Sequence, residues 1–259
     1  MEPQLDHTVA DGVATVVISN PAKRNAMTAG MWAALPGLLE RLAGDREVRA
    51  LVLTGAGDTF CAGADISSLR ERGERGGEPG DAPQGLAVRA EDALAAFPKP
   101  TLAAVRGYCV GGGGQLAAAC DLRFAEEGAS FGITPAKLGI VYPASSTRRL
   151  VSLVGPSTAK YLLFSGELID AERALRTGLV DEVLPRGELD KRVAEFTRVL
   201  VSRSQLTQAA AKEFADGRDD RGAHWAAQAR GSGDTAEGVA AFLERRTPRF
   251  TWTPGPTGG

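Results

Sequence analysis

Four consecutive glycines, Gly111 to Gly114, separate Tyr108-Cys109-Val110 from the alanine-rich run Gln115–Ala119. So long a side-chain-free stretch after an apolar run reads as a strand end followed by a helix start. The first N–H groups of a helix have no intrahelical acceptors, and the helix dipole adds partial positive charge there. Such a start is an anion site by construction. The same glycines would also let the helix pack closely against a strand, so both uses stay open. Two phosphate motifs are excluded: no Gly-Lys-Ser/Thr follows the run, and the G-x-G-x-x-G spacing is not met. A second small-residue turn, Phe60-Cys61-Ala62-Gly63-Ala64-Asp65-Ile66, also leaves backbone amides open to a ligand. Two backbone donors aimed at one point would stabilise a developing oxyanion.

The elements around these turns read as α/β. His7–Val9 and Val13–Ile18 flank Asp11-Gly12 as a hairpin. Thr28 caps a helix to about Leu42, in which Pro36 predicts a kink. Strands are expected at 49–53, 101–105, 122–125 and 179–184. Helices are expected at 86–97, from Gln115, on either side of Gly155-Pro156, and after Asp170. From Gly187 to about Arg246 the chain reads as helical, and the tail beyond Pro248 as loose. Residues 67–85 are charged and glycine-rich, and fit either a solvated loop or a lid beside a site.

Composition narrows the function classes. With 30 basic against 32 acidic residues, no nucleic-acid partner is favoured. The three cysteines, Cys61, Cys109 and Cys120, form no CxxC or Cys/His cluster. No metal site is expected, and the thiols read as buried and structural. No leader and no apolar run of membrane-spanning length is present, so a cytoplasmic protein without a membrane partner is expected.

Phe60–Ile66 and Arg106–Asp121 (RGYCVGGGGQLAAACD) resemble the two signature stretches of the crotonase, or enoyl-CoA hydratase/isomerase, superfamily. Asn20–Met27 (NPAKRNAM), Lys99-Pro100, Gly178–Asp181 and Phe242–Pro248 agree with it in order and spacing, so the resemblance covers nearly the whole chain. It implies a crotonase-type spiral of β-β-α turns over residues 1–200. Residues 201–259 would form a helical region used in trimer formation, with homotrimers or hexamers common in the family. It implies an acyl-CoA thioester substrate whose oxygen is held by the amides of Ala64 and Gly112, with no separate cofactor because CoA is part of the substrate. It further implies CoA contacts from Lys23, Arg24, Ala26, Ala62, Asp65 and Ile66, although Lys23 and Arg24 also fit a solvated pair and Asp65 a loop brace.

The sequence departs from the family's hydratases at both catalytic glutamates. Gln115 stands at the first position and Pro135 at the second. An amide is no general base near neutral pH, and proline has no titratable group. Thr134–Tyr142 (TPAKLGIVY) instead resembles the superfamily's malonyl-type CoA decarboxylases, which implies roles for Thr134 and Tyr142, although Ala64 stands where that type has a histidine. Gln115 fits either a structural amide or an orienter of water or substrate. Tyr142 fits either a packed aromatic or a proton donor. Arg148 and Arg149 read as surface or subunit contacts. His7 and His224 lie far from both signature stretches. Three functions follow as expectations: hydratase- or isomerase-type enolate chemistry, decarboxylation, or acyl-CoA binding without turnover.

Overall fold

The computed structural model describes residues 2–65 and 83–254. Asp11 and Gly12, both at positive φ (51° and 80°), make the tight turn that pairs β1 (Gln4–Ala10) with β2 (Val13–Ser19). Parallel pairs then add β3 (Ala50–Gly55), β4 (Thr101–Val105), β6 (Leu122–Glu126) and β9 (Glu182–Leu184) to β2. The last of these strands is shorter than the sequence suggests. A second, three-stranded sheet joins β5 (Tyr108–Val110), β7 (Ser130–Gly132) and β8 (Ile169–Asp170) in that order. The larger sheet is covered on both sides, as parallel strands require. Leu51, Leu53, Ala103 and Val105 enter the main core. The alternate residues Val52, Leu102 and Phe124 pack with Leu189 and Val193 on the other face.

α1 (Ala29–Gly44) starts where Thr28 Oγ1 accepts from the Met31 N–H, and buries Met31, Trp32, Leu35, Leu38, Leu39 and Leu42. It runs through Pro36 as one element. Its C-terminal carbonyls are met by Lys99, whose Nζ donates to Asp45 O at 2.7 Å and Leu42 O at 3.3 Å. α2 (Pro83–Ala95) and α3 (Gly112–Ala119) follow. α4 (Ala144–Ser165) carries the expected break at Gly155, which sits at φ 73°, ψ 164°. Asp170 caps α5 (Ala171–Arg176) by accepting from the Arg173 N–H at 2.7 Å.

The C-terminal region is four helices rather than one long run. These are α6 (Leu189–Val201), α7 (Gln205–Ala215), α8 (Gly222–Ser232) and α9 (Asp234–Glu244), with breaks at Gly217 and Gly233, both at positive φ. The expectation of a loose tail is corrected as far as residue 254. The Arg249 N–H donates to the Glu237 carboxylate at 2.6 Å, and Trp252 Nε1 donates to Gln228 Oε1 at 3.1 Å. The Trp252 ring packs 5.9 Å from Trp225, so two aromatic side chains anchor a segment that composition alone reads as loose. Among the described residues no helix is long and apolar enough to cross a membrane, and no cluster of three metal-ligating side chains forms.

Candidate active site

Hydrogen bonds stitch the two small-residue turns together. The Cys61 N–H donates to Tyr108 O at 2.8 Å and the Val110 N–H to Cys61 O at 3.0 Å, so the first turn runs beside β5. On its other side the Met27 N–H donates to Gly63 O and the Asp65 N–H to Met27 O. Main-chain groups alternate in direction along an extended segment. With Gly63 O and Asp65 N–H both facing Met27, the Ala64 N–H faces away, toward α3.

Gly112 lies there, at the first helical position. A Cβ built on it would sit 3.5 Å from Ala64 N. Neither the Ala64 N–H nor the Gly112 N–H has an acceptor among the described residues. Two glycines are needed for this approach. Gly111 adopts φ 55°, ψ −116°, a region closed to L-residues, and thereby turns β5 into α3. A Cβ on Gly113 would lie 2.3 Å from Cys61 O, so only glycine lets the helix start touch the first turn. Trp32 closes the floor: its ring carbon Cζ2 would be 2.8 Å from a Cβ on Gly112. The glycine run therefore gives close packing and leaves the Gly112 N–H without an acceptor among the described residues.

One helical turn further, Gln115 is 6% exposed. Its Nε2 donates to Glu91 Oε2 at 2.7 Å and to Ser146 Oγ at 2.9 Å. Ser146 Oγ in turn donates to Glu91 Oε2, and Arg149 pairs with Glu91 Oε1. Glu91, on α2, is 1% exposed. Sequence reasoning missed it because nothing local marks one glutamate in Arg89-Ala90-Glu91-Asp92 as buried. The assignment of Arg149 to surface or subunit contacts is corrected: it bridges Glu91 and, at 3.3 Å, Asp92. A buried carboxylate holds its charge only with such partners.

Tyr142 packs against the core, and its hydroxyl has no partner among the described residues. Burial first, then the charge of Glu91, pushes its pKa well above the ordinary phenol value, against a smaller opposing pull from Arg149. The hydroxyl stays protonated and available as a donor. Thr134 Oγ1 lies 3.6 Å from the position a Cβ would take on Gly111, beside the amide pair.

The residues expected to contact CoA are partly engaged within the protein. Lys23 Nζ is 2.7 Å from Asp65 Oδ2, which fits the brace reading of Asp65. Arg24 lies over the Tyr108 ring, 5.1 Å from its centroid. The Ala62 N–H donates to Arg24 O, and Ala26 is buried with its N–H on Lys23 O and its carbonyl on Asn20 Nδ2. Asn25 was missed. It is buried, with Nδ2 donating to Ala56 O and Thr59 O, and so pins this segment to the loop before Phe60. Ile66, and the lid expectation for 67–85 as far as residue 82, lie outside the described residues. A broad cleft elsewhere, lined by Asp92, Arg148, Arg149 and Lys212, lies at the opposite end of α3.

Two neighbouring N–H groups without acceptors among the described residues, one on the first small-residue turn and one at the start of α3, are thus brought together by an α/β fold of two sheets. The sequence comparisons give the family. Residues 8–253 match the enoyl-CoA hydratase/isomerase family. The chain is 35% identical to the 2,3-dehydroadipyl-CoA hydratase of Escherichia coli, over 92% of this chain and 94% of that one. It is 34% identical to the crotonyl-CoA hydratase of Syntrophomonas wolfei over the same shares. A crystal structure described as an enoyl-CoA hydratase/isomerase family member superposes with a TM-score of 0.91 at 41% identity, covering 98% of this chain and 99% of that one. The enoyl-CoA hydratase of Bacillus anthracis gives 0.85 at 30%, covering 95% and 98%. The chain belongs to the enoyl-CoA hydratase/isomerase family, whose members process acyl-CoA thioesters.

Proposed function

We propose that this chain binds an acyl-CoA thioester with its carbonyl oxygen between the Ala64 and Gly112 amides, and turns it over through a thioester enolate without the usual glutamate pair. One observation carries the reading: two N–H groups from separate turns lie side by side, with no acceptor among the described residues. Removing an α-proton, adding to the β-carbon and losing CO2 all build negative charge on that oxygen. One fixed donor is worth about 3–4 kcal/mol to such a charge. The names of the relatives, hydratases of enoyl-type CoA esters, support hydration or its reverse. Gln115 and Pro135 supply no base for it, so efficient hydration of crotonyl-CoA is not expected.

A second reading rests on Tyr142. Decarboxylation of a malonyl-type thioester makes the enolate without a base and needs only a holder and a proton donor. A partly buried, protonated hydroxyl without a partner among the described residues fits the donor role. Thr134 would orient the leaving carboxylate.

The test is incubation of the pure protein with crotonyl-CoA, 3-hydroxybutyryl-CoA, a 3-enoyl-CoA and methylmalonyl-CoA, with products followed by mass spectrometry. CO2 loss that collapses in Tyr142→Phe supports decarboxylation. Fast crotonyl-CoA hydration overturns the reading of Gln115 and Pro135. Binding without turnover on the whole panel leaves an acyl-CoA-holding protein. No acyl-CoA binding sinks the proposal.

The proposal includes a homotrimer or hexamer, supported by Val239, Phe242 and Leu243 exposed together on α9, and checked by light scattering. It also includes a cytoplasmic location, supported by three free, buried thiols.

A further inference from the structure

We propose that a cavity at the amino ends of the parallel strands binds a small hydroxylated phosphate monoester. The β1–β2 turn, the residues leading into β3 and the junction of α6 with α7 line about 280 Å³ there. Arg49 immediately precedes β3, whereas the first small-residue turn follows the carboxyl end of that strand, so the cavity and the amide pair lie at opposite ends of it. At about 30 Å³ per water the space holds roughly nine waters, room for a phosphate with a short tail. Gln205, the first residue of α7, lines the cavity and is 3% exposed, yet neither its Nε2 nor its Oε1 has a partner among the described residues. A buried amide without a protein partner calls for one from outside the chain. Turning it toward the cavity forfeits no hydrogen bond. Arg49 lines the same space, half-buried, and its side chain makes no hydrogen bond or ion pair among the described residues. Its N–H donates to Gly12 O at 2.8 Å, and its Cδ lies 3.5 Å from the position a Cβ would take on Gly12, so the side chain runs along the β1–β2 turn.

The lining carries two cations, Arg46 and Arg49, neither ion-paired among the described residues, and one carboxylate, the exposed Glu47. The balance is positive. The start of α7 adds to it, because the Gln205 and Leu206 N–H groups have no acceptor among the described residues. A phosphate monoester brings a charge of about −1.5 to −2 at neutral pH and three acceptor oxygens that suit guanidinium forks. A carboxylate carries half that charge. Gln205 offers an acceptor as well as donors, and its Oε1 needs a hydroxyl, which a short polyol tail supplies. Val201 and Phe250, both half-buried, offer apolar contact to the carbons of that tail.

The experiment is titration calorimetry with glycerol 3-phosphate, inorganic phosphate and glycerol. The wild type should bind glycerol 3-phosphate about five- to tenfold more tightly than inorganic phosphate, the worth of one hydrogen bond, and should give no heat with glycerol. Arg49→Leu should weaken glycerol 3-phosphate by about tenfold or more, the loss of a charge-assisted hydrogen bond. If that variant does not fold, Arg46→Ala, at an exposed position, should weaken it by about two- to fivefold. Gln205→Leu should bring the two phosphate ligands to equal affinity while raising the Tm of the unliganded protein, because it removes an unpaired buried amide; a merely structural Gln205 would lower Tm. Added CoA should leave the affinity for glycerol 3-phosphate unchanged. Competition by CoA, no binding at millimolar glycerol 3-phosphate, or unchanged affinity in the arginine and Gln205 variants would each overturn the inference, and none of them bears on the acyl-CoA reading.

Discussion

Gly113→Ala and Gly37→Ala place the same methyl group on two helices, and the structure gives them opposite signs. Gly37 is exposed in the middle of α1, and its new Cβ would have one neighbour, Arg41 Nη1, at 3.9 Å. Alanine there gains helix propensity of about 0.5–1 kcal/mol. On Gly113 the Cβ would lie 2.3 Å from Cys61 O and 2.8 Å from Cys61 Cβ, so roughly 1 Å of backbone must give way to restore ordinary contact. Overpacking of this kind costs about 1–3 kcal/mol, and a backbone obstacle puts it at the upper end. Alanine's propensity offsets about 1 kcal/mol, which leaves a net loss of roughly 2 kcal/mol. At about 2–4 °C per kcal/mol for a chain of this size, Gly113→Ala should lower Tm by about 4–8 °C, and Gly37→Ala should raise it by about 1–4 °C. Scanning calorimetry on both variants is the assay. The same displacement moves the Gly112 N–H, so acyl-CoA binding should weaken only in Gly113→Ala. Equal or greater stability of Gly113→Ala would refute the claim that the glycine run is dictated by contact with Cys61.

Other consequences are equally open to measurement. Gly112→Pro removes one amide donor and should cut kcat on any substrate found by about 10²–10³, checked alongside a circular dichroism spectrum to establish folding. Burial pushes the Lys99 pKa down to about 8 from 10.5. Between those values the unfolded chain holds a proton that the folded one has released, so this group's contribution to stability rises with pH. In urea titrations the wild type should gain on Lys99→Met as pH climbs from below 8 toward 10.5, and a constant difference would contradict the shift. Burial pushes the thiols of Cys61 and Cys120 up to about 12, and Cys109 up as well. A thiol reagent at neutral pH should label none of them until denaturant is added; rapid labelling of the native protein would refute their burial.

Local signals made the scaffold legible. Asp11-Gly12, Thr28, Gly155-Pro156 and Asp170 each carry a turn or cap chemistry that acts within a few residues, and each stands where that chemistry requires. The proximity of Ala64 and Gly112 was legible only through the resemblance, because 48 positions separate them in the chain. Glu91, Ser146 and Arg149 come from α2 and α4 and meet around Gln115 by tertiary packing alone. A glutamate followed by an aspartate on an amphipathic helix reads as solvated, and only the buried amide opposite it reveals otherwise. The tail failed for a similar reason: Trp252 finds Trp225 across the fold, which no local pattern predicts.

The most direct test is a crystal structure of the protein with a non-hydrolysable acyl-CoA thioether ketone, in which a ketone replaces the thioester carbonyl. Its oxygen should lie about 2.7–3.1 Å from both Ala64 N and Gly112 N. A ligand carbonyl bound elsewhere, or either N–H turned to a protein acceptor in the complex, would contradict the account.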